Sequence, residues 1–312
     1  MIGFMVSLLA ANRCRSGRGR LRHNSCCACY GLFGVAAMPE LPEVEVSRQG
    51  LLPYLPGRCL VGAIVRTPKL RHEIPLGLDA RLAGLRIDAI LRRGKYLLLD
   101  CASSRGGGWL LIHLGMSGSL RLVPPGTPAQ KHDHVDLVFK HTVLRLRDPR
   151  RFGALLWHEG ADVEAHPALA VLGREPLADG FCGEWLYAVT RGRRVPVKPL
   201  LMDSHLIVGI GNIYAAESLF RAGISPLRRA GRISLQRYRV LAEAIRATLA
   251  ASIAAGGSTV RDYVHSDGGA GSFQLSCAVY DRQAEPCVVC ATPIRALRQA
   301  GRSSFYCPAC QR

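Results

Sequence analysis

Residues 96–123, YLLLDCASSRGGGWLLIHLGMSGSLRLV, hold three short apolar runs broken by small and glycine-rich stretches, with no helical period running between them. The runs at 96–100, 109–114 and 119–123 are rich in Leu, Ile, Val and aromatic residues, the pattern of strands bounded by turns. Working outward, 135–139 and 143–147 read the same way. The block from about residue 59 to 157 is therefore expected to be antiparallel β, a sandwich or barrel and not a series of βαβ units. Before it, residues 42–52 read as one helix, with Pro42 in the first turn and Glu43 and Glu45 early. After about residue 167 the periodicity changes. Leu235, Tyr238, Leu241, Ala242, Ile245, Leu249 and Ile253 recur at spacings of three and four, Ser234 stands at the cap position, and Gly256-Gly257 follows. Residues 212–221 read as a shorter helix after the turn Gly209-Ile210-Gly211. The fold class is α+β, divided at about 38–167, 168–273 and 274–312.

Composition narrows the partners. Of 312 residues, 41 are basic and 23 acidic, a net charge of +18. With 48% apolar and 21% charged residues the chain has material for a core and is not disordered for most of its length. No apolar run approaches the roughly 20 residues of a membrane span, and no membrane partner is expected. So large a basic excess favours a polyanion such as nucleic acid. Residues 1–37 contain five arginines and no acid, yet the remaining 36 basic residues still exceed the 23 acidic ones by 13. The apolar part of this extension precedes its arginines, the reverse of a secretory signal. A start at Met38, or trimming there, is favoured over an organellar transit peptide.

Of twelve cysteines, four form two knuckles, Cys287-x-x-Cys290 and Cys307-x-x-Cys310, sixteen residues apart. That is zinc-ribbon spacing: each knuckle offers two thiolates, and the pair of knuckles completes a tetrahedron. Two disulfides or four unconnected thiols are the alternatives, but the spacing favours the metal, and scattered single cysteines elsewhere point to a reducing, cytoplasmic compartment. Four protein ligands leave no open position, so the ion is structural. The hairpin between the knuckles carries Arg295, Arg298 and Arg302 and no acid, which suits a DNA backbone. At the other end, Met38-Pro39-Glu40-Leu41-Pro42-Glu43 gains meaning if the chain begins there. Removal of methionine would leave Pro39 with a free secondary amine, less basic than a lysine and so partly nucleophilic near neutral pH, with Glu40 beside it to move protons. Gly209-Ile210-Gly211-Asn212 opens a helix whose first turn lacks an acid, so its free N–H groups would favour a phosphate. His132-Asp133-His134 alternates as a strand would, pointing two imidazoles alike but without a third metal ligand.

The blocks PELPEVE, RRGKYLLL, HLGMSGSL, KHDHVDL, DPRRFGA, VGIGNIYAAESLF, SDG and the terminal knuckles stand in order from residue 38 to 312. In this the chain resembles the bacterial formamidopyrimidine-DNA glycosylases, the MutM type that excises oxidised purines. The resemblance implies an N-terminal β-sandwich with flanking helices, a helix–two-turn–helix domain and a zinc-ribbon hairpin, with one structural zinc and no small-molecule cofactor. It implies a monomeric glycosylase and abasic-site lyase acting on double-stranded DNA that contains 8-oxoguanine or formamidopyrimidines, with β,δ-elimination. Residue by residue, Pro39 resembles the Schiff-base nucleophile, Glu40 its proton donor, Lys95 the donor for β-elimination and Arg302 the donor for δ-elimination. His132, Arg150, Arg193 and Asn212 resemble DNA contacts. Met116, Arg150 and Phe152 resemble the set that fills the void left by a flipped nucleotide. The Gly-rich stretch 266–272 resembles the loop that closes over that base. PELPE argues against the endonuclease VIII branch, whose start is usually PEGPE. A zinc-ribbon DNA-binding protein without catalysis becomes the alternative if the extension stays attached.

Overall fold

Leu97, Leu98 and Leu99 show why the central run lacks alternation. The computed structural model describes residues 38–104, 106–257 and 277–312, and there this strand is covered on both faces. Leu97 and Leu99 join Leu110, Ile112, Leu137 and Leu144 in the main core, while Leu98 meets Trp109, Leu111, Val163 and Leu169 on the other side. Neighbouring strand residues point to opposite faces, so a doubly covered strand needs an unbroken apolar run.

Helix α1 (Leu41–Leu51) leads into β1 (Leu60–Val65) and the short α2 (Leu78–Leu82). Strands β2 (Arg86–Arg93), β3 (Tyr96–Ser103), β4 (Gly106–His113), β5 (Ser119–Val123), β6 (Asp133–Phe139), β7 (Val143–Arg147) and β8 (Ala154–Glu159) follow. They form two four-stranded antiparallel sheets, ordered β1-β6-β7-β5 and β2-β3-β4-β8. Residues of both sheets share one buried cluster, a sandwich, which is one of the two architectures the periodicity allows and the one the resemblance implies. Between β6 and β7, Arg145 gives Asp136 two hydrogen bonds, of 2.8 and 2.9 Å, and spends the rest of its guanidinium on the carbonyls of Thr127 and Pro128. A buried charge pair is tolerated when its remaining donors are satisfied in this way.

Helices α3 (Pro167–Ala170), α4 (Gly183–Thr190), α5 (Val197–Leu201), α6 (Asn212–Arg221) and α7 (Leu235–Ala254) make up the helical part. The Ser234 hydroxyl accepts the Arg237 N–H at 3.4 Å to start α7, and Gly256 and Gly257, at φ +77° and +82°, follow its end. The last strands, β9 (Arg295–Gln299) and β10 (Arg302–Tyr306), pair as a hairpin. No helix among the described residues is long and apolar enough to cross a membrane. The extension 1–37 and the Gly-rich stretch 266–272 lie outside the described residues.

One backbone ladder positions the site. Gly173 and Arg174 donate to the Ser204 and Leu206 carbonyls at 2.8 and 2.9 Å, and Val208 donates back to Arg174 at 3.1 Å. The Leu41 N–H then bonds the Gly209 carbonyl at 3.0 Å, which seats the start of α1 beside the turn before α6.

Candidate active site

Glu40 is the N-cap of α1, in extended conformation, and is buried. Its own N–H goes to the Glu43 carboxylate at 2.9 Å. Its carboxylate accepts the N–H of Gly211 at 2.6 Å and of Ile213 at 3.2 Å, at the start of α6. Glu40 therefore takes two of the N–H groups at the start of α6 that the sequence offers to a phosphate. A Cβ at 211 would collide with the Glu40 carboxyl group and push it away, so glycine is what lets the two lie this close. Burial lifts the Glu40 carboxyl to about 7, against the pull of Lys95 and with help from Glu43. Pro39, also buried, immediately precedes it.

Lys95 sits in the two-residue turn between β2 and β3, with Gly94 at φ +56° as the primed hairpin turns demand. Burial lowers its pKa, Glu40 and Glu43 pull it back up, and Arg302 adds to the lowering. Arg302 begins β10 directly after the turn Ala300-Gly301, whose residues have φ of +45° and +77°. A cavity of about 750 Å³ is lined by Met38, Lys95 and Arg302 together with Arg71, Tyr96 and His113. Residues separated by more than 200 positions in sequence thus share one wall.

Two residues of this region carried no role in the sequence reading. Lys198 on α5 is buried; its ammonium donates to Asn212 Oδ1 at 2.5 Å, to the Ser303 carbonyl at 3.0 Å and to Ser304 Oγ at 2.8 Å. It ties the zinc hairpin to the start of α6, and burial brings its pKa down to about 8. A lysine inside the apolar VPVKPLL segment was the available signal. His113 is pushed down to about 4 by burial and by Lys95 and Arg71. Its Nδ1 accepts the Gly115 N–H at 3.0 Å, which leaves Nε2–H as the donor of a neutral ring.

Asp148 links the loops that bear Met116, Arg150 and Phe152. It accepts from Ser117 Oγ at 2.8 Å and from the Gly153 N–H at 2.8 Å, while the Arg150 N–H reaches Ser117 Oγ at 3.2 Å. The loops bearing Met116 and Arg150–Phe152 are therefore pinned to each other. Phe152 is 45% exposed with the Arg150 guanidinium 4.9 Å over its ring, and Met116 is half-buried, so neither side chain is a core residue. His132 departs from strand alternation: it lies before β6 with φ +77°, and its ring stands edge-on to His134 at 6.4 Å. His134 is buried on the Asp148 carbonyl at 2.9 Å. Arg193 is exposed after α4, its Nε on the Val189 carbonyl at 2.9 Å.

Cys287, Cys290, Cys307 and Cys310 place their sulfurs within 4.8 Å of one another, with separations of 3.4, 3.5 and 3.9 Å. Tetrahedral zinc with Zn–S near 2.3 Å requires sulfurs about 3.8 Å apart, so the set fits. Among the described residues it is the one such group of potential ligands.

A sandwich with an acid–base site at a helix start, joined to a helical unit and a four-thiolate basic hairpin, defines a zinc-bearing enzyme of nucleic-acid chemistry. Family profiles match residues 38–155 (formamidopyrimidine-DNA glycosylase N-terminal domain), 172–264 (its H2TH domain) and 284–312 (the zinc finger found in FPG and IleRS). The formamidopyrimidine-DNA glycosylase of Dechloromonas aromatica is 59% identical over 276 residues, covering 88% of this chain and all of that protein. Crystal structures of MutM (Fpg) from Thermus thermophilus (TM-score 0.78, 39% identity, 88% of this chain and 98% of that one) and of a Lactococcus lactis Fpg variant with Fapy-dG-containing DNA (0.81, 31%, 88% and 100%) superpose on it. The chain belongs to the formamidopyrimidine-DNA glycosylase family.

Proposed function

We propose that this base-excision-repair glycosylase and abasic-site lyase for oxidised purines works as a bacterial cytoplasmic monomer on duplex DNA, with Pro39 as its nucleophile. The observation that carries the reading is Glu40: buried next to Pro39 and held at about 7, it can keep a proton at neutral pH and deliver it. In a chain that starts at Pro39, the secondary amine attacks C1′ of the damaged nucleotide. The base leaves with the glycosidic electrons, and Glu40 protonates the ring oxygen as the sugar opens to the iminium. Loss of a C2′ proton then expels the 3′ phosphate (β), and a second elimination expels the 5′ phosphate (δ), with Lys95 and Arg302 as the respective donors. Hydrolysis of the iminium returns the amine. His132, Arg193 and Asn212 contact the DNA backbone, and Met116, Arg150 and Phe152 occupy the vacated stack. The four cysteines hold zinc, which supplies structure to the hairpin bearing Arg302 and takes no part in the chemistry.

With residues 1–38 attached, Pro39 nitrogen is a tertiary amide and has no lone pair to offer. The test is product analysis with the chain that starts at Pro39, on duplexes carrying 8-oxoguanine opposite C or thymine glycol. Faster release of 8-oxoguanine, with phosphate at both ends of a one-nucleoside gap, is expected. Preference for thymine glycol would instead assign the oxidised-pyrimidine branch.

A further inference from the structure

The sequence RRGK reads as a basic run for DNA, yet its two arginines face inward. Glu175, in the segment between α3 and α4, spends both carboxylate oxygens on this turn. Oε1 accepts the Gly94 N–H at 2.5 Å and Arg93 NH1 at 3.2 Å, and Oε2 accepts Arg92 NH1 at 3.0 Å. Arg92 NH1 also holds the Gly94 carbonyl at 3.1 Å, so the Gly94 residue is gripped at its N–H and its C=O. Arg93 NH2 bonds the Leu172 and Gly173 carbonyls at 3.2 and 2.7 Å, and Arg92 Nε reaches Glu45 of α1 at 3.0 Å. The side chains of Arg92, Arg93 and Glu175 are 11, 17 and 19% exposed, so solvent screens these charges poorly. The other side of the turn is closed: a Cβ on Gly94 would press on Val208 at 3.1 Å, next to the ladder that seats α1.

We infer that Glu175 is the positioning residue for Lys95, clamping the β2–β3 turn from across the junction between the sandwich and the helical part. The inference rests on the reading of Lys95 as a proton donor, since proton transfer demands placement to within about 0.5 Å. An isolated two-residue turn does not hold a lysine that closely; a carboxylate bonded to both flanking arginines and the turn amide does.

The test uses zinc-loaded protein beginning at Pro39, the span that matches relatives along their whole length, with Glu175→Ala, Glu175→Gln, Lys95→Ala and the double variant Glu175→Ala/Lys95→Ala. Hydrogen exchange of the hairpin amides is read beside single-turnover scission of a duplex with a preformed abasic site. Glu175→Ala should raise exchange at the turn about tenfold and slow scission about 10- to 100-fold. It should add nothing on a Lys95→Ala background. Glu175→Gln keeps an oxygen for the Gly94 N–H while losing the charge, and should fall between; its retained zinc and melting temperature show that the fold persists. Unchanged exchange at the turn, or losses that multiply in the double variant, would overturn the inference. Scission at the wild-type rate by Lys95→Ala alone would instead sink the donor assignment, and raised exchange in Glu175→Ala would still support the clamp.

Discussion

Two hairpins deliver one cation each to the same cavity, and they are held by different physics. The Lys95 turn belongs to a four-stranded sheet whose leucines are buried on both faces, and charges from another segment fix its tip. The Arg302 hairpin has two strands and sends only Phe305, with Ile294 just before it, into the main core. Two strands alone are marginal in water, so four thiolates and the buried Lys198 supplement that small apolar anchor. On the proposed roles, the donor carried on the sheet needs only local fixing, whereas the one carried on the finger leans on the four thiolates as well as on a small apolar anchor.

The sharpest way to break this contrast is to remove the metal. Structural zinc in small modules is linked to about 10–16 kcal/mol of folding free energy. Chelation should therefore collapse residues 277–312 and abolish retention of lesion DNA, while the sandwich still melts cooperatively in calorimetry. Loss of both melting transitions together would merge the two regions into one unit. Next in size, Lys95→Ala should slow β-elimination by about 10²- to 10⁴-fold. Arg302→Ala should instead leave β-elimination product accumulating with its δ step lost, as resolved by the chain ends on a denaturing gel.

A third effect concerns pH. Glu40 must carry its proton to donate it, and that form is present below about 7 and lost as pH rises through that value. The kcat/KM for base release should show a falling limb there, which Glu40→Gln removes along with most of the rate. The smallest effect compares the two turn glycines. Gly301 faces open space at φ +77°, so Gly301→Ala should cost only the backbone strain, about 1 kcal/mol. Gly94→Ala adds the press against Val208 and should lower the melting temperature further.

What was legible in the sequence followed locality. Leu97–Leu98–Leu99 and the knuckle spacing are short-range patterns, and both gave the right element. Pro39 and Glu40 became readable only through resemblance, because their chemistry depends on where the working chain starts. Glu175 lies 81 positions from Gly94, and Lys198 lies 105 from Ser303; no periodicity links such partners. The start of α6 shows the same limit. Its N–H groups were visible in the sequence, but the carboxylate that takes those of Gly211 and Ile213 belongs to Glu40, 171 positions before Gly211.

Borohydride trapping on an 8-oxoguanine duplex tests the central claim most directly, comparing protein that begins at Pro39 with protein that retains residues 1–38. A covalent adduct with the first, and DNA binding without an adduct with the second, is the predicted result. Equal trapping by both forms would show that the attacking nitrogen is not that of Pro39.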